Sequence, residues 1–140
     1  MVVFDTSILV DASRRNTEAL KLIVSYSEKE RIAITIISKY EILRGAYERD
    51  SSFVAELLKQ FVIYEFGDSA TAEVVKAYKT LSEKGKKIIE LDVLIAGLVA
   101  ANNETLVTRD RDFLNFESTK INCPWLVFPD ILRLFWQWCL

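Results

Sequence analysis

Apolar positions along the chain fall into short unbroken runs, separated by longer stretches in which they recur every three or four residues. Val2-Val3-Phe4, Ile32-Ala33-Ile34-Thr35, Phe61-Val62-Ile63-Tyr64 and Thr105-Leu106-Val107-Thr108 are runs of the first kind. Continuous runs of this length read as strands covered on both faces, the habit of a parallel sheet. The stretches between them read as helices. Thr6 or Ser7 can cap a short helix through Ile8-Leu9-Val10, and a helix from about Thr17 puts Ala19, Leu20, Ile23 and Val24 on one face. Ser38 can cap a helix carrying Tyr40, Glu41, Leu43 and Arg44 to Gly45 or beyond. Further helices are expected over Phe53 to Lys59, from Asp68 or Ser69 to near Gly85, and from Ile88 to Ala101, the last apolar nearly throughout except at Glu90 and Asp92. Trp125 to Phe128 reads as one more strand, and Pro129-Asp130 opens a final amphipathic helix through Trp136. Repeated passage from strand to helix predicts an α/β fold: a single domain over residues 1–140, with a central, mainly parallel sheet flanked by helices on both faces.

Composition narrows the chemistry. The 140 residues include no histidine, which removes imidazole-based nucleophile activation, histidine acid–base pairs and His-ligated zinc. Two cysteines cannot complete a tetrahedral zinc site within one chain, and Cys123 and Cys139 are expected to be free thiols. Catalysis must then come from carboxylates, lysine, hydroxyls or a hard cation held by oxygen. The first residues lack a basic segment and their apolar run stops at Asp5, so no signal peptide is expected. Pro129, Asp130 and Arg133 interrupt the longest apolar stretch well short of the ~20 residues of a membrane span, and a cytoplasmic protein without membrane association is expected. A net charge of −2 argues against a simple electrostatic nucleic-acid binder, but not against one whose acids are neutralised by divalent ions.

In an open α/β sheet, ligands bind outside the carboxyl ends of the strands, so acids just beyond those ends carry the most information. Asp5 closes the first run, Glu41 follows the second by about two helical turns, Asp92 lies near the start of the apolar helix, and Asp110 and Asp112 follow the Thr105 to Thr108 run. Each has a plain alternative taken singly: a turn or cap for Asp5 and Asp92, a solvated helix position for Glu41, and a cap or an arginine partner for Asp110 and Asp112. Asp92 is the most telling. A carboxylate amid Leu91, Val93, Leu94 and Ile95 is costly unless helix-terminal N–H groups, a basic side chain or a cation offsets it.

Four segments taken together resemble the PIN-domain family, and within it the VapC-type toxin ribonucleases. They are Val3-Phe4-Asp5-Thr6-Ser7-Ile8-Leu9-Val10-Asp11, Ser38-Lys39-Tyr40-Glu41-Ile42-Leu43-Arg44-Gly45, Leu91-Asp92-Val93-Leu94-Ile95-Ala96 and Leu106-Val107-Thr108-Arg109-Asp110-Arg111-Asp112-Phe113. The motifs stand in the family's order and span essentially the whole chain. The resemblance implies an endoribonuclease dependent on Mg²⁺ or Mn²⁺ with the catalytic acids Asp5, Glu41, Asp92 and Asp110, the metal held by Asp5, Asp92 and Asp110. Asp112, Thr6, Ser7 and Thr108 are implied as accessory residues. It further implies an RNA substrate, a homodimer and an antitoxin partner that blocks the acidic pocket. Arg14, Arg15, Arg44, Arg109 and Arg111, with Lys84, Lys86 and Lys87, are placed to contact RNA phosphates. Leu134, Phe135, Trp136 and Trp138 exceed what a terminal helix readily buries, and an exposed patch for protein contact is expected there. Two positions depart from the family pattern. Gly97 stands where a second alanine is usual, and Asn102-Asn103 replaces a glycine before the Thr105 strand.

Two other classes fit parts of the pattern. A Mg²⁺-dependent phosphatase with an aspartate nucleophile also places Asp after its first strand, but it looks for a second Asp two residues on, where this chain has Ser7. A non-catalytic interaction module would use the acids as caps and the aromatic tail as its interface.

Overall fold

The computed structural model describes residues 1–46 and 51–124. The expected strand over Trp125 to Phe128, the final helix, the aromatic patch and Cys139 lie outside the described residues. In chain order the elements are β1 (Val2–Phe4), α1 (Thr6–Ser13), α2 (Thr17–Ser27), β2 (Ile32–Thr35), α3 (Ile36–Ala46), α4 (Ser51–Leu58), β3 (Val62–Tyr64), α5 (Asp68–Glu83), α6 (Glu90–Ala101), β4 (Thr105–Val107), a 3₁₀ turn (Arg111–Asn115) and β5 (Lys120–Asn122). The strands form one sheet in the order β3-β2-β1-β4-β5, and every pairing in it is parallel.

Alternation along each strand sorts the side chains between two cores. Val2, Phe4, Ile32, Ile34 and Val107 point to one face and pack with residues of α1, α2, α3 and α4. Val3, Ala33 and Leu106 point to the other and pack with residues of α5, α6 and the 3₁₀ turn. Both faces are covered, which is why the strand runs are apolar throughout.

Strand order sets the position of the site. From β1 the chain winds outward through β2 to β3, then returns across the sheet to β4 on the other side of β1. The carboxyl ends of β1 and β4 therefore flank the point at which the winding reverses, where open α/β sheets bind ligands. Asp5 donates its backbone N–H to the Val107 carbonyl (2.9 Å), which joins the two strand ends directly.

Both family departures have a structural account. The Cβ of an alanine at position 97 would lie 2.4 Å from Val74 Cγ2 and 2.8–2.9 Å from that residue's backbone N and Cα, so glycine is what lets α6 lie against the backbone of α5. Asn103 takes the left-handed conformation (φ 54°), which Asn enters more readily than most residues. It closes α6 with bonds from the N–H of Asn103 to Ala100 and of Glu104 to Val99, satisfying carbonyls of the last turn.

Three local expectations are corrected. Asp5, not Thr6 or Ser7, caps α1, because an extended residue leaving β1 can turn its carboxylate onto the Ser7 N–H. Thr35, not Ser38, opens α3: its Oγ1 accepts from the Ser38 N–H at 3.0 Å, so Ser38 lies within the first turn. Helix α6 begins at Glu90 rather than Ile88. The strand β5 was not anticipated, since Lys120-Ile121-Asn122 offers a single apolar residue. Among the described residues no helix is long and apolar enough to cross a membrane.

Candidate metal centre

Asp5 is the buried centre of the site, 4% exposed. Three hydrogen bonds converge on its Oδ2: from the Ser7 N–H (3.3 Å), the Ser7 hydroxyl (2.7 Å) and the Thr108 hydroxyl (2.9 Å). Burial pushes its carboxyl above the usual range, and these bonds pull against that shift. Thr108 is fully buried, and its Oγ1 in turn accepts from the Asp110 N–H (3.0 Å). One hydroxyl thus holds the first and the last acid in register.

Glu41 enters from α3, where its Oε2 accepts from the Thr6 hydroxyl at 2.5 Å. The residue next to Asp5 in the chain therefore aims an acid carried on a different element. Asp110 caps the 3₁₀ turn, its Oδ1 accepting from the Asp112 N–H at 2.8 Å. Asp92 occupies the first turn of α6, whose cap residue is Ile89, so Asp92 is not the cap of its helix. Its carboxyl is pushed up to about 6, first by desolvation and then by the charges of Asp5, Asp110, Glu41 and Asp112. The fold has gathered all five acids into one electrostatic neighbourhood.

As they stand, no three of these groups converge tightly enough among the described residues to enclose one ion. The donor set nevertheless fits a hard divalent cation, being all oxygen and mutually repulsive. A divalent cation held among them would offset the repulsion that adds to desolvation in raising Asp92.

The expected basic residues divide. Arg109 pairs with Asp11 of α1. The Arg44 guanidinium lies over the Tyr40 ring (5.2 Å) and that of Arg15 over the Phe53 ring (4.6 Å). Arg14 and Glu41 both line a cleft of about 160 Å³ between α1, α3 and α4, and Arg111 is exposed on the 3₁₀ turn. Lys84 pairs with Glu117, while Lys86 and Lys87 are exposed ahead of α6. Sequence reasoning gave Asp11 no role. Its place four residues after Ser7, on the same face of α1, was the available signal.

No curated protein sequence matches the chain. Among solved structures it is similar to VapBC2 from Rickettsia felis bound to a promoter DNA fragment (23% identity, TM-score 0.78, covering 87% of this chain and 98% of that one). It is similar also to DNA-bound VapBC from Salmonella typhimurium (18%, 0.77, 87% and 98%) and to FitAcB from Neisseria gonorrhoeae (20%, 0.73, 89% and 99%). Residues 2–118 match the PIN domain. That match contains all five acids and strands β1 to β4, stopping just before β5, and on its extent the chain belongs to the PIN domain family.

Proposed function

We propose that the protein is a divalent-metal-dependent endoribonuclease and the toxin of a toxin–antitoxin pair, with Asp5, Asp92 and Asp110 holding Mg²⁺ or Mn²⁺. The observation that carries this reading is the gathering of Asp5, Glu41, Asp110 and Asp112 around the half-buried Asp92 at the carboxyl edge of a parallel sheet. The similarity to VapBC and FitAcB structures supports the toxin–antitoxin setting.

The ion would supply charge stabilisation at the phosphoryl oxygens and lower the pKa of water. Around it, Ser7 and Thr108 fix Asp5 through Oδ2, and Thr6 fixes Glu41, whose carboxylate orients the attacking water toward the phosphorus. Asp112, bonded through its N–H to Asp110, adds negative charge without entering the buried centre. Arg14, which lines a cleft with Glu41, and the exposed Arg111 would meet backbone phosphates. Attack by water leaves a 5′-phosphate and a 3′-hydroxyl. An antitoxin segment would silence the enzyme by covering the acids, and the active form is a homodimer.

The aspartate-nucleophile alternative lacks the second Asp two residues after Asp5, where Ser7 instead donates its hydroxyl to Asp5 Oδ2. Total cellular RNA tests the reading without a guessed substrate. New 5′-phosphate ends that require Mg²⁺ or Mn²⁺, and that vanish with EDTA or Asp5→Asn, are expected. Ends bearing 2′,3′-cyclic phosphate would refute attack by water.

A further inference from the structure

Asp110 sits half-buried on the short turn between β4 and the 3₁₀ helix, and a metal ligand on such a connection must be held there by its neighbours. The restraint on its C-terminal side is its own cap bond to the Asp112 N–H. On the N-terminal side the Thr108 hydroxyl accepts from the Asp110 N–H, and between them stands Arg109, which reaches α1 twice. Its backbone N–H donates to the Ser7 hydroxyl (3.4 Å), and its guanidinium pairs with the Asp11 carboxylate. Ser7 and Asp11 are four residues apart on α1, so they stand one above the other on a single helix face.

We propose that Asp11 and Arg109 are positioning residues, whose ion pair fastens the Asp110 turn along one face of α1 and so fixes the last acid relative to Asp5. The proposal rests on the metal-dependent reading above. It takes Arg109 out of the set expected to grip RNA and gives Asp11 a part although it touches no other acid of the site. The pair is partly exposed, with Arg109 at 46% and Asp11 at 22%, so its loss leaves the fold standing. What it governs is where Asp110 rests.

Mn²⁺ binding to the intact protein, followed by the loss of the free-ion electron paramagnetic resonance signal, separates positioning from simple charge. If Asp11 and Arg109 acted only through their fields, Asp11→Asn would weaken Mn²⁺ binding and Arg109→Gln would strengthen it. Positioning predicts that both weaken it, by about tenfold, the scale of losing an outer partner of a metal ligand. The swapped pair Asp11→Arg with Arg109→Asp should recover most of the affinity, and all three variants should keep the natural thermal midpoint in EDTA. Opposite shifts in the two single variants, no shift in either, or a swap no better than the singles would overturn the proposal while leaving the metal reading intact. A natural chain that binds no Mn²⁺ would overturn both.

Discussion

Asp92 is held against its own stability, and Asp92→Asn should show this by changing sign with metal. Raising a carboxyl from 3.8 to about 6 corresponds to about 3 kcal/mol at 1.36 kcal/mol per unit. Asp92 is half-buried, and solvent screening reduces that figure to about 1–2 kcal/mol. The sign follows from proton counting. Between pH 3.8 and about 6 the folded chain binds more protons at Asp92 than the unfolded chain, so stability falls as pH rises through this window and stays lowered above it. Asn removes the buried charge at nearly constant shape. In EDTA at pH 8 the variant should therefore unfold about 3 to 8 °C higher than the natural chain. At a Mn²⁺ concentration about 100 times Kd the natural chain gains roughly 2.7 kcal/mol, and the variant, lacking one ligand, gains far less, so their order reverses. Thermal unfolding with and without Mn²⁺, repeated from pH 4 to 8, reads all of this. A variant less stable than the natural chain in EDTA at pH 8, or one that keeps the full Mn²⁺ gain, would refute the reasoning.

Two further substitutions test the frame around the acids. Thr108→Val keeps the shape but leaves Asp5 Oδ2 and the Asp110 N–H each short of a partner, so a loss of about 1–3 kcal/mol is expected in urea unfolding, together with weaker Mn²⁺ binding. Unchanged stability would mean that water replaces both bonds. Gly97→Ala forces α6 away from the Val74 backbone and should cost about 1–3 kcal/mol, and because α6 also carries Asp92 the displaced helix should bind Mn²⁺ more weakly. A neutral result in calorimetry would show that the two helices have room to separate.

Strand composition and helical periodicity are enough to predict β1 to β4 and every α-helix among the described residues, because continuous apolar runs and apolar helix faces leave a dense local signal. Val2-Val3-Phe4 needs no partner on the page to be read as a strand. Lys120-Ile121-Asn122 does: it is a strand because its backbone pairs with β4, at the edge of the sheet formed by the described residues. The caps at Asp5 and Thr35 went to the residues leaving the strands, since turn geometry rather than residue type chose among adjacent oxygen-bearing side chains.

For the site, the sequence by itself determined the chemistry available: carboxylates without histidine, placed after strands and matching the motifs of one family. Tertiary structure decided which of them work together. Residues 5 and 41 come together where β2 lies beside β1, and 110 joins them because β4 returns to the other side of β1, a return that no periodicity along the chain encodes. It also decided the second tier, in which Thr6 holds Glu41, Thr108 joins Asp5 to Asp110, and Arg109 turns to Asp11. Hydrogen bonds and ion pairs act over a few ångströms of space, and between residues as far apart in the chain as 11 and 109 only the fold sets that distance.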